Sequence, residues 1–313
     1  MELIRNFENL NKEDVLIAGG KGASLGEMTQ AKILVPQGFV LLASAFDKFL
    51  EETDLNIEIE SLLHKKVNLK DVNSINRVSN KIRDLILDAE FPEDIGKKIK
   101  KEFPKLKAKY VAVRSSATAE DSSVASWAGE LESYLNTTKN DLLENIKKCW
   151  ASLFTPRAIF YRFEKKLDGT RISVAVVVQK MIQSEISGVC FTVHPITKDE
   201  NQMVIEAGWG LGEAIVGGRI TPDTYVISKK DWIILDTNIS QQKMMIVGSR
   251  VGGKEVTVSK SKQSKQKLSN KQIIQLAKLC QKIENHYGYP QDIEWAIDKN
   301  KIYITQSRRI TTL

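Results

Sequence analysis

Apolar positions along the chain recur with two different periods, in separate blocks. From residue 45 to 109 they return at helical spacing amid heavy charge, with Pro92 and Pro104 as breaks. Ala23 to Ala31 also reads as helix, after a Gly-rich turn, and Val35 to Val40 as a turn leading into a short strand. Tyr110 to Val113 predicts a strand that enters a polar segment, Arg114 to Ser126, too rich in Ser, Thr and Asp for a core helix. Residues 138 to 165 predict a pair of amphipathic helices broken near Thr155-Pro156. Ser173 to Val178 is largely valine and predicts an internal strand, and Gly188 to Val193 and Met203 to Glu206 continue the sheet. Gly208 to Gly218 reads as a loop or a tight helix entry. Residues 224 to 258 alternate as strands do, and Ser259 to Asn270 is a polar run. A helix from about Lys271 to His286 precedes two closing strands, Asp292 to Ile297 and Lys301 to Gln306. Helices and strands grouped in blocks, with no internal repeat, predict a mixed α/β or α+β chain.

Several segments can carry chemistry. In Gly19-Gly20-Lys21-Gly22, glycines admit backbone N–H groups to an anion and Lys21 adds a mobile charge. The spacing is not that of a P-loop, so the segment reads either as a surface turn or as a phosphate loop. Gly248 to Lys254 does match GxxxxGK, but Glu255 stands where a metal-binding hydroxyl belongs, and the flanking alternation predicts a hairpin. Arg114, followed by Ser115, Ser116, Thr118, Glu120 and Asp121, can grip a phosphate, or the same residues can cap a helix. Glu206-Ala207-Gly208-Trp209-Gly210-Leu211-Gly212-Glu213 misses the dinucleotide spacing by one glycine and can line a nucleotide cleft or turn a corner. Asp292 and Glu294 share one strand face at a period of two, and repel unless a cation sits there. Gln306 and Arg308 share a face of the next strand. Antiparallel pairing across Asp298 to Lys301 would gather two acids, an amide and a guanidinium, on a binding face or a plain exposed one.

Composition narrows the choice. The 313 residues are 42% hydrophobic and 27% charged, ample for a large core. A net charge of +7 favours anionic partners, but the lysine runs at 97–109 and 260–271 interleave only Phe103, which argues against nucleic acid. Cys149, Cys190 and Cys280 are too scattered for a zinc site or a disulfide framework. The amino terminus lacks a signal-like apolar core, and no apolar run approaches about 18 residues. A soluble cytoplasmic protein, with no membrane partner, is expected.

Ten stretches in order resemble the amino-terminal ATP-binding domain of the phosphoenolpyruvate synthase and pyruvate phosphate dikinase family. They are GGKGASLGEM, VPQGFVL, VAVRSSATAEDSSVASWAG, CWASLFTPRAIFYR, VAVVVQKMI, SGVCFTVHPIT, EAGWGLGEAIVGG, TPDTYVI, DIEWAI and ITQSRRITTL, from about Gly19 onward. The resemblance implies an α+β, ATP-grasp-type fold of two to three subdomains with the nucleotide in the cleft between them. It suggests divisions at 1–109, 110–223 and 224–313. It implies that Lys21 and Arg114 grip the triphosphate, and that Gln179, Lys180, Met181 and Ile182 form an adenine hinge working mostly through backbone groups. Asp292 and Glu294 would bind Mg²⁺, Gln306 and Arg308 would meet the terminal phosphates, and Glu213 would join the same cleft. Relatives of this family continue into a domain with a phosphorylated histidine and a pyruvate-binding barrel. Of His64, His194 and His286, none lies in a segment like the carrier's, and His194 before Pro195 reads as a turn residue. The carrier histidine is therefore expected on another domain or chain. Arg309 departs from the family, which usually has proline there. An ATP module of a rifampicin phosphotransferase and a non-catalytic nucleotide sensor are the rival readings.

Overall fold

The long helix near the carboxy terminus shows how sequence sets the local structure. Ser269 and Gln272 bond reciprocally to each other's backbone N–H at its start, and Gly288, at φ 78°, ends it in the left-handed conformation. Ile273, Leu276, Ala277, Cys280 and Ile283 form its buried stripe, at the three- and four-residue spacing that places them on one face. The structure, a computed structural model, describes residues 1–69, 71–118, 132–164, 173–249 and 252–311. The chain divides into two compact units, residues 1–30 with 37–181, and residues 31–36 with 182–313.

The first unit contains β1 (Ile4–Asn6), α1 (Val15–Gln30), β2 (Gly38–Leu41), α2 (Ala43–Glu52), α3 (Leu55–Lys66), α4 (Val72–Asp88) and α5 (Glu93–Glu102). It continues with β3 (Val111–Ala117), β4 (Ser133–Thr137), α6 (Leu142–Ala151), α7 (Pro156–Glu164) and β5 (Val174–Lys180). Its antiparallel sheet runs β1-β2-β5-β3-β4. The valine-rich β5 is central and fully buried up to Gln179, as its composition predicts. One face of the sheet (Phe39, Leu41, Val111, Val113, Val176 and Val178) joins a single core with residues of α2 to α7. The other face carries Val40, Val177, Arg114 and Ser116 in register, and α1 packs there, with Gly22 against Val40.

The second unit contains β6 (Ile186–Phe191), β7 (Gln202–Trp209), α8 (Glu213–Val216), β8 (Asp223–Ser228), β9 (Ile234–Asn238), β10 (Met244–Gly248), β11 (Gly253–Thr257), α9 (Lys260–Gln263), α10 (Asn270–Tyr287), β12 (Gln291–Asp298) and β13 (Lys301–Arg309). Its main antiparallel sheet runs β13-β12-β6-β7-β8-β9, beside the two-stranded ribbon β10-β11. The stripe of α10 covers the face formed by Cys190, Ile205, Tyr225, Ile293 and Trp295, all buried. The opposite face of the same strands is open at its partly exposed Asp292, Glu294, Glu206 and Thr224 and closed at Val189 and Val204, which are buried.

Three local expectations change. The glycines at 19–22 do not form a separate turn before a helix; they lie inside one helical run, Val15–Gln30, broken only at Gly19 (φ 68°, ψ 168°). The strand beginning at Val111 runs on through Arg114 to Ala117, because its hydroxyl residues find partners in the sheet and its surroundings. The short edge strands β1 and β4 add to the predicted set. Among the described residues no helix is long and apolar enough to cross a membrane.

Candidate nucleotide site

In the first unit, the segments of Lys21 and Arg114 are joined by Ser116. Its hydroxyl accepts from the Gly22 N–H at 3.2 Å and donates to the Ala18 carbonyl at 2.9 Å, bracketing Lys21. Gly19 permits this approach: its φ is +68°, and an added Cβ would lie 2.3 Å from the Ser116 carbonyl oxygen. Arg114 lies two residues before Ser116 on β3 and therefore on the same face. Both cationic side chains are partly exposed. The hydroxyls expected to surround a phosphate are committed inside the fold. Ser115 donates to the Glu132 carbonyl, Ser116 to Ala18 and Thr118 to the Ser173 carbonyl. Glu120 and Asp121 lie outside the described residues.

The strand end 179–182 carries the chain from one unit to the other. The Lys180 N–H donates to the Gln37 carbonyl and the Met181 N–H to the Tyr110 carbonyl. A base lying here would meet carbonyl lone pairs and the Gln179 amide rather than those two donors. Gln179 is 2% exposed, and its Nε2 has no hydrogen-bond partner among the described residues.

The second unit builds the denser cluster. Lys299 and Asn300, at φ 49° and 60°, make the two-residue turn that joins β12 and β13. The register that follows pairs Glu294 with Gln306 and Asp292 with Arg308, all four on the open face. A bulge between Glu294 and Trp295 takes up the extra residue on β13. Arg308 donates to Asp292 Oδ2 from Nε at 2.8 Å and approaches the same oxygen with Nη2 at 2.7 Å. The acid is 13% exposed and the guanidinium side chain 46%.

Register across β6, β7 and β8 extends these pairs into transverse rows on the same face. One row reads Gln306, Glu294, Val189, Glu206, Thr224; its neighbour reads Arg308, Asp292, Phe191, Val204, Val226. On the far side of the first row, α8 and the glycine loop pack over Ser187 and Gly208, walling the face. Gly210 (φ +85°) is pinned there: its N–H donates to the Glu185 carbonyl, and its own carbonyl accepts from the Ser184 and Ser187 hydroxyls. Glu213 opens α8 and lies against Gly253 of β11, where an added Cβ would meet its Oε2 at 2.8 Å.

Sequence reasoning did not place Glu206 among the site residues. It is 86 positions from Asp292 in the chain, and only the register through β6 brings the two acids to one face. Its carboxyl is pushed up, first by burial and then by the Asp292 charge. Burial also holds Asp292 above the usual carboxylate range; Arg308 opposes that shift and Glu294 adds to it.

Asp292 has a consequence for stability. With a raised folded value, the folded chain still holds a proton that the unfolded chain has released. Stability from this group therefore falls as pH rises from the ordinary carboxylate value through the raised one. Asp292→Asn is expected to remove that fall and to raise the melting temperature of the nucleotide-free chain near neutral pH. Thermal unfolding of both proteins at about pH 4 and about pH 7 checks this, and an Asn variant less stable at both would show that the Arg308 pair outweighs burial.

Other candidates resolve as structural. The GxxxxGK match is a hairpin, Val247 opposite Lys254, and Glu255 pairs with Arg219 at 2.6 Å. His194 accepts at Nδ1 from the Ile196 and Thr197 N–H groups, as a turn residue does. Arg309 lies over the Tyr289 ring, 4.9 Å from its centroid. Burial pushes the Cys149 thiol up to about 12, which leaves it inert as a nucleophile.

A family described as "Pyruvate phosphate dikinase, AMP/ATP-binding domain" matches residues 15–313. A probable phosphoenolpyruvate synthase of Archaeoglobus fulgidus is 48% identical over 97% of this chain and 41% of its own length. A rifampicin phosphotransferase of Bacillus subtilis is 40% identical over 99% of this chain and 36% of its own. The chain thus spans less than half the length of either relative. Among solved structures, a D-alanine-D-alanine ligase of Helicobacter pylori covers 75% of this chain, and 53% of its own chain is covered, at 13% identity and TM-score 0.30, too slight a likeness to bear on the fold.

Proposed function

Since the chain belongs to the pyruvate phosphate dikinase AMP/ATP-binding domain family, we propose that it binds Mg·ATP and passes phosphate to a histidine on a carrier domain. This is the opening half of a phosphoenolpyruvate-synthase cycle, in which ATP, pyruvate and water become AMP, phosphoenolpyruvate and phosphate. The observation that carries the reading is the set of cross-strand pairs on β12 and β13: two carboxylates, an amide and a guanidinium on one open face. The metal fits that donor set. Mg²⁺ takes one or two carboxylates along with substrate phosphates, and Asp292 and Glu294 offer hard oxygens on one strand face. Bound there, the ion would neutralise charge on the phosphates.

The chain's own residues supply the rest. Arg308 and Gln306 meet the terminal phosphates, where charge shifts as the bond to the AMP portion breaks. Lys21 and Arg114 are the triphosphate grips of this proposal, with the backbone around Lys21 held by the Ser116 bonds on either side of it. The 179–182 strand end receives adenine, and Glu213 borders the face through α8. Phosphoryl transfer needs mainly position and charge neutralisation, which this set provides. A histidine carrier and a pyruvate-binding barrel are the partners, and the ATP-grasp architecture and a cytoplasmic setting belong to the same proposal. Three buried free thiols accord with a reducing compartment.

The similarity to the Bacillus protein supports a second reading, in which the carrier delivers phosphate to a drug hydroxyl while this domain does the same work. The test is AMP and phosphate formation from ATP and Mg²⁺, with and without an added carrier-histidine domain. The expected result is AMP only when the carrier is present. Tight ATP binding without AMP, whatever carrier is supplied, would make the chain a nucleotide sensor instead.

A further inference from the structure

Cys190 and Cys280 meet in the core of the second unit. Cys190 stands mid-strand on β6, opposite Ile293 and Ile205, on the face that α10 covers. Cys280 belongs to the buried stripe of α10. Both thiols are free and fully buried. The two sulfurs lie within hydrogen-bonding reach of each other, and burial, then this neighbour, push the Cys190 thiol well up. A single buried Cys packs as a small hydrophobe, but two in contact have a chemistry that neither has alone. Sulfurs that already touch can bond with little backbone movement, whereas distant ones cannot.

The third thiol is the contrast. Cys149, in the first unit, sits against the Glu132 carbonyl, 3.9 Å from its sulfur, and against Ser115. A zinc-type centre is not the use of the 190–280 pair: among the described residues no three acidic, histidine or cysteine side chains come together as a cation site. Access to the pair is set by α10. The helix is held to the sheet by its apolar stripe and, one turn after Cys280, by Glu284, which pairs with Lys229 at 2.8 Å, both side chains being 13% exposed. A seated α10 shields both sulfurs, and a local opening of the helix uncovers them together.

We propose that Cys190 and Cys280 are a redox-modification site, joined as a disulfide by exchange with a low-molecular-weight disulfide, and that the bond staples α10 to β6. This site does not depend on the nucleotide reading. The Cys190 sulfur, having lost its proton, attacks one sulfur of the small disulfide and expels its other half as a thiolate. The Cys280 sulfur, likewise deprotonated, then displaces the half that remains. Two protein thiols are oxidised, the small disulfide is reduced to two thiols, and the two protons that leave the protein go to them. The bond joins residues 90 positions apart, so it restricts the unfolded chain strongly.

The 313-residue chain, warmed with oxidised glutathione to a few degrees below its melting midpoint so that α10 opens, tests this by thiol titration, non-reducing peptide mapping and melting curves. Free thiols are expected to fall from three to Cys149 alone, with a cross-linked peptide pair that carries Cys190 and Cys280. The melting midpoint should rise by on the order of ten degrees, and dithiothreitol should reverse every change. Cys280→Ala, treated alike, should show neither cross-link nor rise. Three thiols still free, mixed disulfides with glutathione alone, a bridge that includes Cys149, or a bridge that lowers the midpoint would each overturn the assignment. So would an equal rise in Cys280→Ala.

Discussion

Arg308→Ala is expected to slow phosphoryl transfer to the carrier by roughly a thousand-fold or more, the loss typical of an arginine that stabilises transferring phosphate. The side chain is 46% exposed on the edge strand β13, so truncating it removes little packing. Two consequences add up. The guanidinium proposed to meet developing phosphate charge is gone, and Asp292 loses the partner that draws its carboxyl down against burial and Glu294. The acid then protonates more readily and binds a cation less well. Arg308→Lys should recover part of the rate, since a point charge replaces one function but not the planar fork. Single-turnover measurements with the carrier domain and melting curves decide the matter. A transfer rate equal to the parent's, or a collapse of melting temperature that explains the loss, would contradict the role.

Asp223→Ala is expected to destabilise the second unit by about 3–5 kcal/mol, the usual cost of removing one member of a buried ion pair. Asp223 and the Lys267 side chain are fully buried. The carboxylate accepts from Lys267 Nζ at 2.7 Å, the Lys267 N–H at 2.9 Å, the Ser240 N–H at 3.0 Å and the Tyr225 hydroxyl at 2.9 Å. Its removal strands an ammonium whose other bond goes to the Ser240 carbonyl, and leaves two backbone donors unpaired. Lys267→Met should cost less, because three donors still serve the carboxylate. Denaturant unfolding, followed by a probe in the second unit, should place the variants in that order. Equal stability of parent and Asp223→Ala would show that water replaces the whole network.

The part of the site that reads directly from sequence is the part that is local. Asp292, Glu294, Gln306 and Arg308 occupy one hairpin, so a period of two and a short turn suffice to put them on one face, and the register confirms the pairing. The length of α10 follows from its capping residues and stripe, and the break at Thr155-Pro156 from proline geometry. Non-local relations do not read this way. Ser116 looks like one of several phosphate-facing hydroxyls; that it ties Ala18 and Gly22 depends on a glycine nearly a hundred residues earlier folding back against β3. Glu206 looks like the edge of a glycine loop until strand order places β6 between it and β12. The strands within 110–223 go to two different sheets, which local periodicity has no means to show. The edge strand β4 alternates poorly and is partly exposed, so it lacks the contrast that marks a strand.

In the proposed function the face of β12 and β13 that carries Asp292 and Glu294 binds the phosphates of ATP together with Mg²⁺. Titration calorimetry of the chain with ATP, in Mg²⁺ and in chelator, tests it directly when repeated on a variant carrying Asp292→Asn and Glu294→Gln. ATP binding is expected to strengthen with Mg²⁺ in the parent and to lose that dependence in the double variant. Binding of ATP that ignores Mg²⁺, or that keeps its full Mg²⁺ dependence without the two carboxylates, would contradict it.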